Sequence, residues 1–141
     1  MRQYFDHERL RVYQASVEFV AWCHGIVEDQ RVTGPLRDQL QRAATSIPLN
    51  IAEGNGKTSR RDRARFLEIA RGSSLECAAC LDVLVARELL EARQAEGGKE
   101  QLNGIVSMLT GLLRNLSVEL GEEDAGYVAE RLNGEHEHES E

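Results

Sequence analysis

The sequence has only two prolines, Pro35 and Pro48, and no run in which β-branched residues dominate. Both scarcities favour helix over sheet, because proline removes a backbone donor and β-branched side chains suit a pleated strand. No apolar stretch approaches the roughly 20 residues needed to cross a bilayer, so no membrane span is expected. Residues 1–7 hold no apolar segment of the kind a secretory signal needs, and a cytoplasmic location is the expectation. The three cysteines, Cys23, Cys77 and Cys80, are an odd number and make no disulfide framework. Phosphate-loop, dinucleotide and zinc-protease patterns are missing, and no nucleophile–base–orienter set is visible. The expectation is therefore a non-enzymatic protein with no cofactor and no metal.

What is present fits one domain. A chain of 141 residues can bury a continuous core without disulfides or metals. The formal charge of −7 is unevenly placed. Residues 121–141 carry one Arg against eight Asp and Glu, whereas residues 1–120 carry sixteen of each sign. The middle of the chain, residues 35–72, is locally basic, with eight basic and four acidic side chains. Global acidity thus does not exclude an anionic partner. Residues 1–120 read as the folded domain. Residues 121–141 lose all apolar periodicity and read as an acidic, disordered tail that adds little to the fold.

Four amphipathic segments succeed one another. The first, residues 7–29, has two apolar stripes at helical spacing. One runs Leu10, Tyr13, Val17, Val20, His24, Val27 and the other Val12, Ala15, Phe19, Trp22, Ile26. Either the helix buries a wide surface in its own core, or Phe19, Trp22 and Ile26 pack on another subunit. The second helix starts at Pro35, with Thr33 or Gly34 as cap. Its face is Leu36, Leu40, Ala43, Ala44, Ile47 and Ile51, with Pro48 as an internal kink and Thr45 and Ser46 placed to bond the carbonyls it disturbs. Gly54-Asn55-Gly56 stops it. Ser59 and Asp62 form the capping box of a third helix that runs to about Leu90, some 45 Å long. Glu96-Gly97-Gly98 falls in the next turn, and residues 99–120 form the fourth helix on a leucine-rich seam. Short connections favour an all-α, antiparallel, up-down-up-down four-helix bundle.

Several side chains could carry function. Cys77-x-x-Cys80 lacks a second ligand pair and reads as core packing. His136-x-His138 reads as solvated tail, and His24 as a hydrogen-bonded core or interface residue. Asn50 and Glu53 share a helix face next to Ile47. They read as a partly buried polar pair that either ties the second helix to the third or contacts a ligand. Lys57, Arg60, Arg61, Arg63 and Arg65 put five cations within nine residues at a helix N-terminus, where the macrodipole disfavours them. Water and Asp62 can compensate, as can acids of a neighbouring subunit. Phosphates can too, since backbone N–H groups and arginines together suit anions.

The stretch Leu36-Arg37-Asp38-Gln39-Leu40-Gln41-Arg42-Ala43-Ala44-Thr45-Ser46-Ile47-Pro48-Leu49-Asn50-Ile51-Ala52-Glu53-Gly54 carries a resemblance. Ser59, Phe66-Leu67, Ala70-Arg71-Gly72-Ser73 and Glu76 continue it, over about residues 5–118. The chain resembles the four-helix-bundle family of 23S ribosomal RNA intervening-sequence proteins, itself similar to the accessory variability proteins of diversity-generating retroelements. The resemblance implies a bacterial homopentamer associated with inserts in 23S ribosomal RNA genes. The leading expectation is an oligomeric scaffold or interaction role with an unknown protein partner or none, and the alternative is an RNA- or DNA-binding accessory role that uses the cluster at residues 57–65. The retroelement relatives bind nucleic acid and a reverse transcriptase through a strongly basic surface. This chain departs from them in its neutral body and acidic tail.

Overall fold

The computed structural model describes residues 2–119. After a single 3-10 turn at Asp6–Arg9 come four helices: α1 (Arg11–Asp29), α2 (Pro35–Asn55), α3 (Arg60–Ala86) and α4 (Ala92–Glu119). There is no strand among the described residues, so the all-α expectation holds. Residues 121–141, expected to be a tail, lie outside the described residues.

Each boundary has a local cause. Leu10 is extended, which separates the 3-10 turn from α1 and breaks the single first helix expected from residue 7. The α1 C-terminus is a Schellman motif: Arg31 turns left-handed at φ 53, and the Val32 N–H reaches back to the Val27 carbonyl at 2.9 Å. Val27 and Val32 are both buried, the apolar contact such a motif brings. α3 ends in the same way. Glu88 has φ 60, and the Leu89 N–H bonds the Leu84 carbonyl at 2.9 Å. This stop is earlier than expected, because a charged residue takes the position usually given to glycine. Gly34, at φ 83, precedes Pro35 at the first position of α2 with no side-chain cap, so Thr33 does not serve. α2 continues unbroken through Pro48. Thr45 bonds the Gln41 carbonyl at 2.8 Å, one turn back, and not the carbonyl that Pro48 leaves without its donor.

The start of α4 is the largest correction. It begins seven residues before the expected Lys99, with the Gln94 side chain folded back onto the Glu91 N–H at 3.1 Å. Gly97 and Gly98 therefore sit inside a helix. Gly98 is there for room: a Cβ would run into the Trp22 ring and meet Leu81 at 2.9 Å.

The helices enclose one core in which Phe19, Leu40, Ile47, Ile51, Leu81, Leu84, Ile105, Leu109 and Leu113 are fully buried. Each such side chain gains on the order of 1.5–3 kcal/mol on leaving water, against the entropy of ordering the chain. On α1 the buried line is Val12, Ser16, Phe19, Cys23 and Val27. It runs between the two expected stripes, and each stripe therefore supplies flanks. Val17 and His24 are exposed, so His24 is not a core residue. Phe19, for which core and subunit interface were both open, is fully buried within the single chain and stacks on Trp22 at 5.7 Å. Trp22 and Ile26 are half-buried against the core. Contacts fix the helix pairs. Ser46 meets Ser73 and Gln39 meets Glu76 between α2 and α3, while Lys99 meets Asp82 and Thr110 meets Arg71 between α4 and α3.

The two neighbouring glycines of α4 give opposite expectations. Gly97 has open space around its missing Cβ. Gly97→Ala should raise the thermal midpoint, by about 1 kcal/mol of helix propensity. Gly98→Ala gains the same propensity but drives into Trp22. It should lower the midpoint, since overpacking costs about 1–3 kcal/mol. Thermal unfolding followed by circular dichroism checks both.

Candidate functional site

The α2–α3 seam holds a small polar network. The Asn50 amide donates to the Ser46 carbonyl at 2.8 Å and to Ser46 Oγ at 2.9 Å, and Ser46 Oγ lies 2.9 Å from Ser73 Oγ. All three residues are half-buried, and their polar atoms find partners, as burial requires. The tie between the second and third helices runs through Ser46 and Ser73, and Asn50, expected to make it, bonds only Ser46 of its own helix. Glu53, expected to share it, is exposed. Three residues beyond Asn50 the helix has turned a further 60° or so from the core-facing line through Ile47 and Ile51. Ser46 and Ser73 are its unforeseen members. The signal was the four-residue spacing of Ser46 and Asn50, which stacks them on one face.

The five expected cations fall into three roles. Ser59 Oγ caps α3 by accepting from the Asp62 N–H at 3.3 Å. Arg63 is half-buried, and its Nε donates to the Lys57 carbonyl at 2.6 Å, latching the α2–α3 turn onto the first turn of α3. Lys57 and Arg65 flank one aromatic ring: the Lys57 ammonium lies 5.2 Å and the Arg65 guanidinium 5.3 Å from the Phe66 centroid. Cations over a ring are attracted by its quadrupole. Arg65 also approaches Asp62 at 3.9 Å, an exposed pair of small value. Arg60 and Arg61, both exposed, form the outer edge.

Beside this cluster lies the N-terminal arm. The Asn55 amide donates to Asp6 Oδ2 at 3.0 Å and pins the arm to the end of α2. A cavity of about 210 Å³ under the junction is lined by Leu10, Gly54, Arg63, Leu67 and Leu116. Leu116, in the last turns of α4, is thereby brought to the start of α3.

Two buried groups lie elsewhere. Arg71 on α3 is buried, and its Nε donates to Thr110 Oγ1 on α4 at 2.9 Å. It lines a groove of about 530 Å³ with Ser107, Thr110 and Arg114. Sequence patterning missed this residue because Arg is rarely buried. The three cysteines converge from α1 and α3, all buried and all free thiols. Burial, then the neighbouring Cys80, pushes the Cys23 thiol up to about 11. Burial raises Cys77 and Cys80 as well, helped by nearby thiols and Glu76 at Cys77 and by Glu76 at Cys80. Such thiols are poor nucleophiles. Among the described residues no group of three or more His, Cys, Asp or Glu could hold a metal ion. His136 and His138 lie outside them. No helix of the described residues is long and apolar enough to cross a membrane.

A family model, that of the 23S rRNA-intervening sequence proteins, matches residues 8–111. The chain belongs to this family. A solved structure of a protein of unknown function from the S23 ribosomal protein family of Bacteroides thetaiotaomicron is 25% identical. It aligns over 72% of this chain and 96% of its own length, with a TM-score of 0.67. None of the curated proteins matches. In this intervening-sequence protein the motif from Leu36 to Gly54 lies within α2, and several of its residues are structural: Ser46 and Asn50 in the seam, Pro48 and Ile51 buried, Gly54 against α3.

The raised thiols set a pH dependence with a definite sign. As pH climbs past about 8.5, the unfolded chain gives up its cysteine protons first. The contribution of Cys23 is full below that pH and is lost as pH rises through about 11. Near pH 8 a thiol reagent such as iodoacetamide should leave all three cysteines unmodified in the native protein and label all three in guanidinium. Fast labelling of the native protein would show a reactive site instead.

Proposed function

We propose that this intervening-sequence protein is a non-enzymatic, homo-oligomeric interaction module of the cytoplasm. It is built as an antiparallel, up-down-up-down four-helix bundle. The cross-helix pairs support that topology, because partner numbers fall along α3 as they rise along α2 and α4. The carrying observation for assembly is the outward side of α3. Ile69, Gly72, Glu76, Ala79, Val83 and Ala86 recur at spacings of three and four, all on the exposed side. Ile69 is 45% and Val83 44% exposed, and Leu49 on the adjoining α2 is 62% exposed. A seam at this period, apolar or small at five of its six positions, suits knobs-into-holes packing against another helix. A second copy of the chain is the partner this reading takes, and five subunits is the number the family resemblance implies.

A second reading has its own observation. The exposed Arg60, Arg61 and Arg65, with Lys57, gather at the N-terminal turn of α3, where the helix macrodipole favours an anion. An RNA- or DNA-binding accessory role would use this edge, with Arg63 holding the turn in place.

Light scattering at micromolar concentration should give a mass several times the 15.8 kDa of one chain. Ile69→Glu with Val83→Glu should reduce it to the monomer without loss of helicity. A monomeric wild-type protein would sink the assembly reading. For the second reading, an electrophoretic shift with structured RNA should weaken steeply as salt rises. Arg60→Gln with Arg61→Gln should weaken the shift and its salt dependence while changing stability by no more than about 0.5 kcal/mol.

A further inference from the structure

The basic edge of α3 does not stand alone. The arm, pinned beside it to the end of α2 by the Asp6–Asn55 hydrogen bond, carries the two most exposed large hydrophobic side chains of the described residues, Tyr4 at 73% and Phe5 at 65%. Their rings are held in place. Phe5 stacks on His7, with planes 5° apart and centroids at 6.0 Å, and His7 sets its edge against Tyr13 at 4.8 Å. The Arg2 guanidinium lies 5.6 Å over the Tyr4 ring. The Tyr4 N–H is bonded to Glu8 Oε2 at 3.1 Å, which closes the arm on itself. Residues 2–11 and 53–65, which meet at this end of the bundle, carry eight basic and four acidic side chains, in a body whose net charge is zero.

We infer that this end of the bundle is a platform for single-stranded nucleic acid, on which unpaired bases stack against Tyr4 and Phe5 while Lys57, Arg60 and Arg61 hold the phosphates. The inference rests on the nucleic-acid reading of the α3 edge and adds the class of strand. Exposed rings on a pre-ordered arm offer flat faces to any base, and a cationic groove tracking the backbone is their usual companion. Paired bases hide their faces in the stack, so a duplex can use the arginines but not the rings. An apolar protein partner fits less well, because the rings are set among charges of mostly one sign.

The test is fluorescence anisotropy of a labelled oligopyrimidine of about twelve nucleotides against a labelled blunt-ended duplex with no unpaired bases. It uses the full chain, including residues 121–141, from about 50 mM salt upward. The single strand should bind more tightly than the duplex. Tyr4→Ala with Phe5→Ala should weaken it about tenfold or more and leave the salt slope unchanged. Tyr4→Phe with Phe5→Tyr should keep the affinity. Arg60→Gln with Arg61→Gln should instead flatten the slope, by roughly 0.7 per lost phosphate contact. Equal binding of both nucleic acids, untouched by the alanine variant, overturns the platform and leaves the basic edge standing as a backbone binder. Failure to bind either one at the lowest salt overturns both.

Discussion

At Gly54 the backbone of α2 lies against α3 with no room for a side chain. A Cβ there would meet the Cβ of Phe66 at 2.9 Å and the Arg63 carbonyl at 3.3 Å. This close approach sets the geometry of the whole cationic end of the bundle. It brings the end of α2 onto the first turns of α3, so the connection needs only residues 56–59. The turn is then tight enough for Arg63 to reach the Lys57 carbonyl and for Lys57 to sit over Phe66. Asn55, next to the contact, is left free to hold the N-terminal arm. The cationic end is thus an outcome of helix packing, and its arginines are displayed by a backbone contact a few residues away.

The sequence disclosed some of these features and hid others, for physical reasons. Helix periodicity located α2 to within a residue, because a proline start and a glycine stop bracket a regular apolar face. The Ser59–Asp62 cap was equally legible, since its chemistry is local. The start of α4 was not. Gly97-Gly98 reads as a break unless one knows that an indole ring from α1 arrives there, and such knowledge is tertiary. The end of α1 was legible at Asp29, but the end of α3 was blurred because Glu88 occupies a left-handed position, for which the usual signal is glycine. At the candidate site the charges were visible, but their division of labour was not. Which arginine latches the turn and which faces water depends on the orientation of α3 against α2. The exposure of Tyr4 and Phe5 depends likewise on where the arm is pinned.

Charge in this protein is better described by position than by sum. The body is neutral overall, yet one end of the bundle is cationic. Elsewhere opposite charges are matched locally. Arg37 holds Glu28, whose carboxyl is lowered mainly by that hydrogen bond, and Lys99 reaches Asp82 at 2.8 Å. These pairs are partly or largely exposed and add little stability, but each spans a helix pair or a helix junction and favours one arrangement over others. The buried Arg71 does the same from inside, joining α3 to α4 through Thr110.

Trp22 is the single tryptophan of the chain. Its ring lies on the bare α4 backbone at Gly98, backed by Phe19 and close to Leu81. Excited at the red edge, where tyrosine does not absorb, the emission of this protein therefore comes from one joint, the place where α1, α3 and α4 meet. A change in its wavelength reads the docking of those helices without a label. The cationic end of the bundle, far along α4 from residue 98, stays dark to it. Binding at that end and loosening of the core are thus optically separable in one sample.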